Sequence, residues 1–469
     1  MERPQILGVR QVLKETLRTK SGIVGFGMLA VLVSMAAVVP FVAPGDVVKK
    51  WGDVQAWTDY PRNAPPEWTE LFAGKKLPRT MIIERTEFRK AASDPNLTLK
   101  VILLRGPFDY QYDAFPSELF LAFFANWTDR PPVIEVTWER PDHLVFAMMT
   151  YVPQRKNFQA NVLSLSEDPN FIGTVRQWGL SLNATDSVVI KPEVTMFAVR
   201  DPSMLNPVAA HVSKGSYVLR VKVIAFHQTD DVDARFTVHG TVFGLAGTDA
   251  RRRDLMIGLL WGAPVALAFG TVAALLTVFA NVIFGALGAY YGRRWDEIVQ
   301  RATDFLIIIP VLPILILMGT FYRPGLITIF FVVVAFSILG GATKVVRSIV
   351  LQVKEEQYVE AAKSYGASRA RILFRHIIPR TLPYTFALIA LTVPSFIFLE
   401  ASLSFLGLGD PFLPTWGSMM GDAQREGALY NGLWWWITFP AIGILSVTVA
   451  FALIGYSFDK ILNPRLREE

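Results

Sequence analysis

The chain has 469 residues, of which 52% are hydrophobic and 18% charged, with a mean hydropathy of +0.35. This composition is typical of an integral membrane protein and rare in soluble domains. The absence of cysteine excludes disulfides, thiolate zinc sites and cysteine nucleophiles, and the net charge of +6 indicates cytoplasmic Lys and Arg rather than nucleic-acid binding.

Runs without a charged residue predict six transmembrane helices, because about 20 apolar residues cross roughly 30 Å of hydrocarbon. The runs cover residues 21–45, 255–292, 305–322, 324–343, 381–399 and 427–458. The second and sixth runs exceed one span, so we expect each to include an interfacial approach, anchored in the sixth by Trp434, Trp435 and Trp436. The first run is longer than the apolar core of a signal peptide and lacks a clear cleavage site, so we expect it to remain as an anchor.

Lys and Arg cluster in four segments that fall on one side of the membrane if there are six spans. The positive-inside rule makes that side cytoplasmic, with both termini there. Arg251, Arg252 and Arg253 lie on the outer side, beside Asp249 and Asp254, after a long translocated segment that is less bound by the rule. The four basic segments contain Arg3, Arg10, Lys14, Arg18 and Lys20; Arg293, Arg294 and Arg301; Lys344, Arg347, Lys354, Lys363, Arg369, Arg371, Arg375 and Arg380; and Lys460, Arg465 and Arg467.

Residues 46–244 form a different kind of polypeptide, rich in Pro, Trp and acidic residues. Apolar and polar residues alternate there with a period of two, which predicts β-strands separated by turns. About 200 residues can bury a core of their own. We therefore expect an extracytoplasmic β-rich domain, a sandwich, inserted between the first and second helices. Examples of the alternation are residues 97–104, 133–138, 143–151, 217–226 and 235–242.

The function of this insertion stays open between a domain that shields the outer mouth and a docking surface for a substrate-capturing protein. An extracellular receptor or enzyme would need a polar constellation, yet the histidines His143, His211, His227 and His239 are scattered. Three Asn-x-Ser/Thr sequons, at Asn96, Asn126 and Asn183, fall in this segment, against about one expected by chance, and glycosylation stays open.

The basic loop 344–380, between the fourth and fifth runs, carries helix signals of its own. Glu360, Ala361 and Ala362 are strong helix formers with little bulk, so a helix there can approach a partner closely. Apolar residues at helical spacing extend the fourth helix as an amphipathic one: Val346, Ile349, Val350 and Val353.

Turn and cap signals complete this loop. Gly366 suits the left-handed residue that ends a helix, and Ser368 can cap a second helix over residues 369–378. Pro379 and Pro383 are expected to end that helix before the fifth span. The residues predict a helix–turn–helix that projects from the membrane, either as a docking site for a soluble partner or as an ordinary surface loop rich in solvated charge.

Five positions of this loop match a known pattern of Glu-Ala-Ala, three residues, Gly and a terminal Pro: Glu360, Ala361, Ala362, Gly366 and Pro379. The loop thus resembles the EAA loop of ABC-importer permeases. His376 and Ile378 replace the usual Ile and Leu, which is similar to the peptide-transport subgroup.

Further motifs are similar, in order, to those of the C-type permease of that subgroup. The resemblance covers residues 11–43 and 243–467, with Arg252 in place of a Gly and with the insertion 46–244 as departures. The motifs are Gly247-Thr248-Asp249 with Arg253-Asp254; Gly288-Ala289-Tyr290-Tyr291-Gly292 with Asp296 and Arg301; Glu400-Ala401-Ser402-Leu403-Ser404-Phe405-Leu406-Gly407-Leu408-Gly409 with Trp416-Gly417; and Asn463-Pro464-Arg465-Leu466-Arg467.

The resemblance implies an α-helical membrane protein with the six-helix fold of type I ABC-importer permeases. Residues 1–45 would be the cytoplasmic N-terminus and first helix, and residues 245–469 a five-helix permease core. The implied partners are a homologous second permease, two cytoplasmic ABC ATPases, an external substrate-binding protein and membrane lipids. ATP and Mg would bind to the ATPases, so the chain itself would be neither an enzyme nor a cofactor carrier; it lacks a Walker loop. Glu360, Ala361, Ala362 and Gly366 would couple ATP hydrolysis to alternating access.

Glu400 is an acidic residue flanked by long apolar stretches, whereas Asp304 and Asp254 lie at span ends, where a solvated boundary residue is expected. Ionisable groups at membrane depth usually face a cavity or a partner. Glu400 therefore either faces the translocation path or bonds neighbouring helix ends. We also expect Pro310, Pro313 and Pro394 to kink their helices.

The function expected from the resemblance is ATP-driven uptake of oligopeptides or dipeptides. The same subgroup also handles oligosaccharides and nickel complexes, and these alternatives stay open. A membrane-anchored extracellular receptor or enzyme ranks lower, and a self-contained secondary transporter leaves the cytoplasmic loop unexplained.

Overall fold

The computed structural model describes residues 14–93, 99–322, 325–410 and 413–462. The predictions at Asn96 and at residues 463–467 lie outside this part of the chain. The helices are α1 (Lys20–Val42), α2 (Gly45–Lys49), α3 (Glu70–Ala73), α4 (Pro169–Ser181), α5 (Pro192–Thr195), α6 (Leu255–Tyr291), α7 (Arg293–Ile308), α8 (Val311–Tyr322), α9 (Leu326–Ser337), α10 (Gly341–Val353), α11 (Gln357–Ser364), α12 (Arg369–Ile372), α13 (Ile378–Phe405), α14 (Trp416–Arg425) and α15 (Trp434–Leu462). The strands are β1 (Met81–Ile83), β2 (Arg89–Ala92), β3 (Lys100–Tyr110), β4 (Glu118–Asn126), β5 (Val133–Glu139), β6 (Val145–Tyr151), β7 (Ala160–Ser164), β8 (Gly215–Ala225) and β9 (Asp231–His239). Two compact units result, Met1–Gly52 with Met256–Glu469, and Asp53–Leu255.

The first unit is helical, and its apolar helices are long enough for a multi-pass membrane protein. Among the described residues, five helical stretches are long and apolar enough to cross a bilayer, and a bent pair of helices raises the number to six if it forms one span. The five stretches are Lys20–Val42, Leu255–Tyr291, Leu326–Val353, Arg369–Phe405 and Trp434–Phe458.

The bent pair is α7 and α8, which meet at 62°. The bend falls inside the apolar run 305–322, so this run is not one straight helix. Pro310 follows Ile309, whose backbone is extended at ψ 119°. Proline disfavours the helical conformation of the residue before it and donates no backbone hydrogen bond, which explains the break.

Trp416, at the start of α14, joins three helices of the helical unit. Its ring occupies the space that a Cβ atom on Gly262 of α6 or on Gly443 of α15 would need, since the ring lies only 2.3 Å and 2.7 Å from where those atoms would stand. The indole Nε1 donates to the Leu259 carbonyl at 3.0 Å. Three helices therefore close around one aromatic residue of the 400–417 signature.

The second unit contains two antiparallel sheets. The four-stranded sheet has the order β1-β9-β4-β7, and the five-stranded sheet has the order β2-β3-β8-β5-β6. Buried side chains from both sheets form one apolar core, with Trp138 of β5, Phe236 of β9 and Tyr217 of β8 among its largest members. This unit is a β-sandwich, as the alternating pattern predicts.

The predicted strands correspond to β3, β5, β6, β8 and β9. Strand β4 shows no alternation of apolar and polar residues, so the sequence pattern does not predict it. Its side chains nevertheless alternate between partly buried and buried. Its sequence is apolar on both faces because the side that faces away from the core carries Phe120, Ala122 and Phe124.

The second unit extends beyond the predicted end at residue 244, because the next residues bond back to an earlier segment. Thr248 donates from its backbone to the Ala64 carbonyl at 2.8 Å, and its hydroxyl accepts from the Ala64 amide at 2.9 Å. Asn63 donates to the Asp249 carbonyl at 3.1 Å. The Gly-Thr-Asp motif thus closes the sandwich unit at its C-terminal end.

Arg252, which stands where the resemblance expects Gly, has the left-handed backbone that Gly adopts, with φ +66°. Its side chain forms an ion pair with Glu118 at 2.5 Å, donates to the Tyr60 carbonyl at 3.1 Å and lies 4.8 Å from the ring centre of Phe120. Burial, and then the Arg252 cation, lower the pKa of the adjacent His239 to about 3. His239 is therefore neutral, and Arg252 is the cation that balances Glu118.

We expect Arg252→Gly to destabilise the sandwich unit despite relieving its backbone. The left-handed conformation costs a non-glycine residue about 1 kcal/mol, whereas removing one partner of a largely buried ion pair costs about 3–5 kcal/mol. The net loss should be about 2 kcal/mol or more, measured as faster hydrogen exchange of the β4 amides. Arg251→Gly, in an exposed neighbour, is the control, and wild-type exchange in both variants would contradict the role of Arg252.

Candidate functional site

The loop that carries Glu360 and Gly366 folds as the sequence predicts around its turn. Helix α11 carries Glu360, Ala361 and Ala362, and Gly366 follows it with a left-handed backbone at φ +77°. The Ser368 hydroxyl accepts from the Arg371 amide at 3.4 Å and caps α12. The helix stop and the cap are both confirmed.

One side of this helix pair is buried against the ends of longer helices. Val359 of α11 and Ile372 of α12 are fully enclosed in an apolar cluster with Val350 of α10. The cluster continues to α6 through Val282 and Ala286. The helix pair is therefore packed onto the helical unit and does not hang as a mobile loop.

The opposite side of the helix pair faces solvent. Glu360 and Ala361 are exposed, whereas Ala362 is half-buried against the apolar cluster. Tyr365 is 92% exposed and Phe374 is 57% exposed. Two large exposed aromatic residues beside a small-residue helix are typical of a surface that a protein partner covers.

Tyr365 and Phe374 lie outside the motifs that the sequence marks as functional. Their signal is present in the sequence, because both are aromatic residues inside a strongly charged loop. The structure brings Glu360, Ala361 and Gly366 to the same exposed turn as Tyr365, and it leaves Glu400 elsewhere, inside α13.

The prediction that Pro379 and Pro383 end the second loop helix is wrong. A π-helical turn at Leu373–Ile377 joins α12 to α13, and one helical stretch runs from Arg369 to Phe405 with Pro383 inside it. Pro379 lies immediately after this turn and donates no backbone hydrogen bond, so the helix passes it with one bond unmade. The wider π turn immediately before it changes the hydrogen-bond spacing, which accommodates the proline ring.

Ion pairs tie α7 to α10 next to this loop. The Arg347 guanidinium binds Asp296 through two bonds, Nε–Oδ1 at 2.6 Å and Nη2–Oδ2 at 2.5 Å. Lys344 pairs with Asp304, whose side chain is 55% exposed, as expected for a solvated boundary residue. A two-bond Arg–carboxylate pair fixes orientation as well as distance, so it sets the rotation of α10 relative to α7.

Asn281 of α6 holds the break between α9 and α10. Its Oδ1 accepts from the Gly340 amide at 2.9 Å and from the Thr343 hydroxyl at 2.7 Å. Its Nδ2 donates to the Ser337 carbonyl at 3.1 Å and to the Thr277 carbonyl at 2.6 Å. A break in a membrane helix is tolerated only where its free backbone groups are satisfied, and one amide does so here.

Glu400 is buried within α13. The Ser404 hydroxyl donates to its Oε1 at 2.7 Å, and Thr415 is a second hydrogen-bond partner. Thr415 also caps α14 by accepting from the Ser418 amide at 3.1 Å. The carboxylate therefore connects α13 to the start of the next helix, one of the two roles left open by the sequence.

The described residues contain no group of three or more His, Cys, Asp or Glu side chains that could hold a metal ion. The site consists of a solvent-exposed turn, a buried apolar support and helix connections. The fold and this site together define a multi-pass helical membrane protein in which one exposed loop rests on a buried apolar cluster.

Comparison with known proteins identifies the family. Residues 281–468 match the family described as "Binding-protein-dependent transport system inner membrane component". The chain is 38% identical over 225 residues to the dipeptide transport system permease protein DppC of Bacillus subtilis, which covers 47% of this chain and 68% of that protein. It is 37% identical over 226 residues to the oligopeptide transport system permease protein OppC of the same organism, covering 47% and 72%.

A third relative is the glutathione transport system permease protein GsiD of Escherichia coli, 32% identical over 222 residues, covering 47% of this chain and 72% of that protein. The chain belongs to the family of binding-protein-dependent inner-membrane permeases of ABC importers. Its family members are transport subunits rather than enzymes. The matched residues 281–468 contain the exposed loop, whereas the β-sandwich lies outside them.

We expect Asn281→Leu to destabilise the α9–α10 break. The substitution removes the acceptor of the Thr343 hydroxyl and the donor to the Ser337 carbonyl, and it leaves the Gly340 amide only its 3.3 Å bond to the Thr343 hydroxyl. Each buried hydrogen bond in a membrane is worth about 1 kcal/mol. The free energy of unfolding should fall by about 2 kcal/mol, with faster hydrogen exchange confined to residues 338–346.

Thr277→Val is the matched control for this variant. Thr277 is buried on the same helix, and its hydroxyl has no hydrogen-bond partner among the described residues. If the two variants lose the same stability, Asn281 has no special role at the break.

Proposed function

We propose that the chain is the permease subunit of an ATP-driven importer of short peptides, and that α11 with its Gly366 turn is the seat of a cytoplasmic ATPase. The proposal rests on the contrast between the two faces of this loop. Glu360, Ala361 and Tyr365 are exposed on one face, and Val359 is buried in the apolar cluster on the other. A loop with no partner needs no rigid support, whereas a surface that transmits force does.

The contacts of the loop suggest how motion would reach the membrane. Displacement of α11 acts through Val359 on α10 and α6, because their side chains share one close-packed cluster. The same displacement acts through α12 on the continuous helix Arg369–Phe405, which extends across the unit. Closure of two ATPases would then tilt spans without any covalent change in this chain.

The proposed topology has six spans, with α7 and α8 as one bent span, both termini in the cytoplasm and residues 46–244 outside. The distribution of Lys and Arg supports it, since the exposed loop carries more basic residues than the other short connections between spans. The proposed domains are residues 1–45, 46–244 and 245–469. The structure divides the chain at Gly52 and Leu255, near the proposed boundaries.

The proposed cargo is an oligopeptide or dipeptide, delivered by an external binding protein to a pore made with a homologous second permease. The names of the relatives, which are permeases of dipeptide, oligopeptide and glutathione systems, support this class of cargo. Oligosaccharides and nickel complexes remain the second candidates. ATP and Mg would bind to the two ATPase subunits.

For Glu400 we propose a structural role at the junction of α13 and α14. Its burial and its bonds to Ser404 and Thr415 support that role over a place on the translocation path. The carboxylate would keep the junction rigid while the helices move as bodies.

The coupling role is tested with Glu360→Lys and Gly366→Val in the assembled transporter. Reversal of the exposed charge, and loss of the left-handed residue, should each lower substrate-stimulated ATP hydrolysis at least about tenfold, since a coupling loss of roughly 1.4 kcal/mol is tenfold. Basal assembly in the membrane should be retained, because neither Glu360 nor Gly366 is part of the buried cluster.

Glu355→Lys is the control for charge reversal, because Glu355 is exposed and precedes α11. If Glu360→Lys and Gly366→Val both transport peptide at the wild-type rate, the assignment of this loop as the coupling site is wrong.

A further inference from the structure

A cavity of about 740 Å³ lies on the outward face of the four-stranded sheet of the sandwich. Small-molecule sites typically have about 300–1,000 Å³. Every residue that lines it belongs to the unit Asp53–Leu255. The helical unit does not contribute to it, so the cavity is a feature of the sandwich itself.

The strand register explains the shape of the cavity. Phe120, Ala122 and Phe124 lie on the same face of β4, since side chains alternate along a strand. Ala122 is opposite Val162 on one side and Arg235 on the other. A methyl group between two phenyl rings leaves a depression, and the two rings form its walls.

Charges of both signs border this apolar floor. Asp59 pairs with Arg235 at 2.9 Å and is partly exposed. Arg155 is exposed, and its guanidinium makes one long hydrogen bond, at 3.5 Å, to the Ala160 carbonyl. An anion and a cation therefore border one groove, and the Arg155 guanidinium has donors left for a ligand carboxylate.

We propose that this groove binds a short peptide with free termini. An apolar side chain of the peptide fills the space over Ala122 between Phe120 and Phe124. The peptide carboxylate pairs with Arg155, and its ammonium group pairs with Asp59. The inference rests on the proposed function, since it assigns to the sandwich a site for the same class of cargo that the importer carries.

The fit of charge and shape favours a peptide over other occupants. A purely apolar partner would desolvate the Arg155 guanidinium without offering it an acceptor, which costs free energy, whereas Asp59 would keep its pair with Arg235. A zwitterionic peptide with one apolar side chain satisfies both ions and covers the aromatic walls. The sandwich would thereby hold cargo on the same chain that carries it across the membrane.

The proposal is tested on the full chain in lipid nanodiscs, without ATPases or a binding protein. The probe is the tripeptide Ala-(4-fluorophenylalanine)-Ala with free termini, titrated by ¹⁹F NMR. We expect saturable binding with a dissociation constant below about 1 mM, and a stoichiometry of one. Acetylation and amidation of the peptide should weaken binding at least about tenfold, because the capped peptide has neither the carboxylate for Arg155 nor the ammonium group for Asp59.

Two variants locate the site. Ala122→Trp fills the floor, and Arg155→Glu reverses the exposed cation; each should raise the dissociation constant at least about tenfold, or 1.4 kcal/mol. Val145→Trp, at an exposed position of β6 in the other sheet, is the control and should bind as the wild type does. Arg155→Glu keeps the test valid if Ala122→Trp fails to fold, because Arg155 is exposed.

Unchanged binding in both variants, or equal binding of the capped peptide, would overturn the proposal. The proposal would also be overturned if the wild-type chain sedimented as a dimer and the Ala122→Trp variant as a monomer. A second copy of the chain would then occupy the groove. Absence of binding to the free chain, while peptide-stimulated ATP hydrolysis persists in the assembled transporter, removes this site and leaves the proposed function intact. Loss of peptide-stimulated hydrolysis in the wild-type assembly would instead remove the proposed function.

Discussion

The burial of Val359 and Ile372 against Val350 is the interaction on which the functional interpretation depends. These three side chains join α11, which has one exposed face, to α10 and to the helical stretch Arg369–Phe405. Close-packed apolar contacts resist compression, so the exposed turn and the helices behind it move together. Without this cluster the same residues would form a flexible charged loop, which could bind a partner but could not transmit its motion.

Membrane spans impose the second constraint, because every broken helix must satisfy its backbone groups inside the protein. This chain meets that requirement with side chains from neighbouring helices. Asn281 serves the break after Ser337, and the Thr415 cap with Glu400 serves the start of α14. Side-chain hydrogen bonds therefore hold the helix breaks in place, and the long helices between the breaks are the parts that can move.

Much of the fold could be predicted from local chemistry. Gly366 and Ser368 act through their own backbone preferences, and the alternation in β5 and β8 reports one buried face, so neighbours in sequence suffice. The failure at Pro379 has a different cause: a π turn, which depends on packing of α12 and α13, replaces the expected helix end. Asn281 and Ser337 are far apart in sequence, and nothing near either residue indicates their bond. Arg252 shows the same limit, since its side-chain partners, Glu118 and the Tyr60 carbonyl, lie far from it in sequence.

The proposed coupling requires that a cytoplasmic ATPase cover the α11 turn in the assembled transporter. The chain has no cysteine, so Ala361→Cys introduces a single thiol that can carry a short benzophenone crosslinker. We predict light-induced adducts with the ATPase subunit from position 361, and none from a matched Ala209→Cys, at an exposed alanine of the sandwich unit. Equal solvent labelling of Cys at position 361 with and without bound ATPases, and no ATPase adduct, would contradict the account.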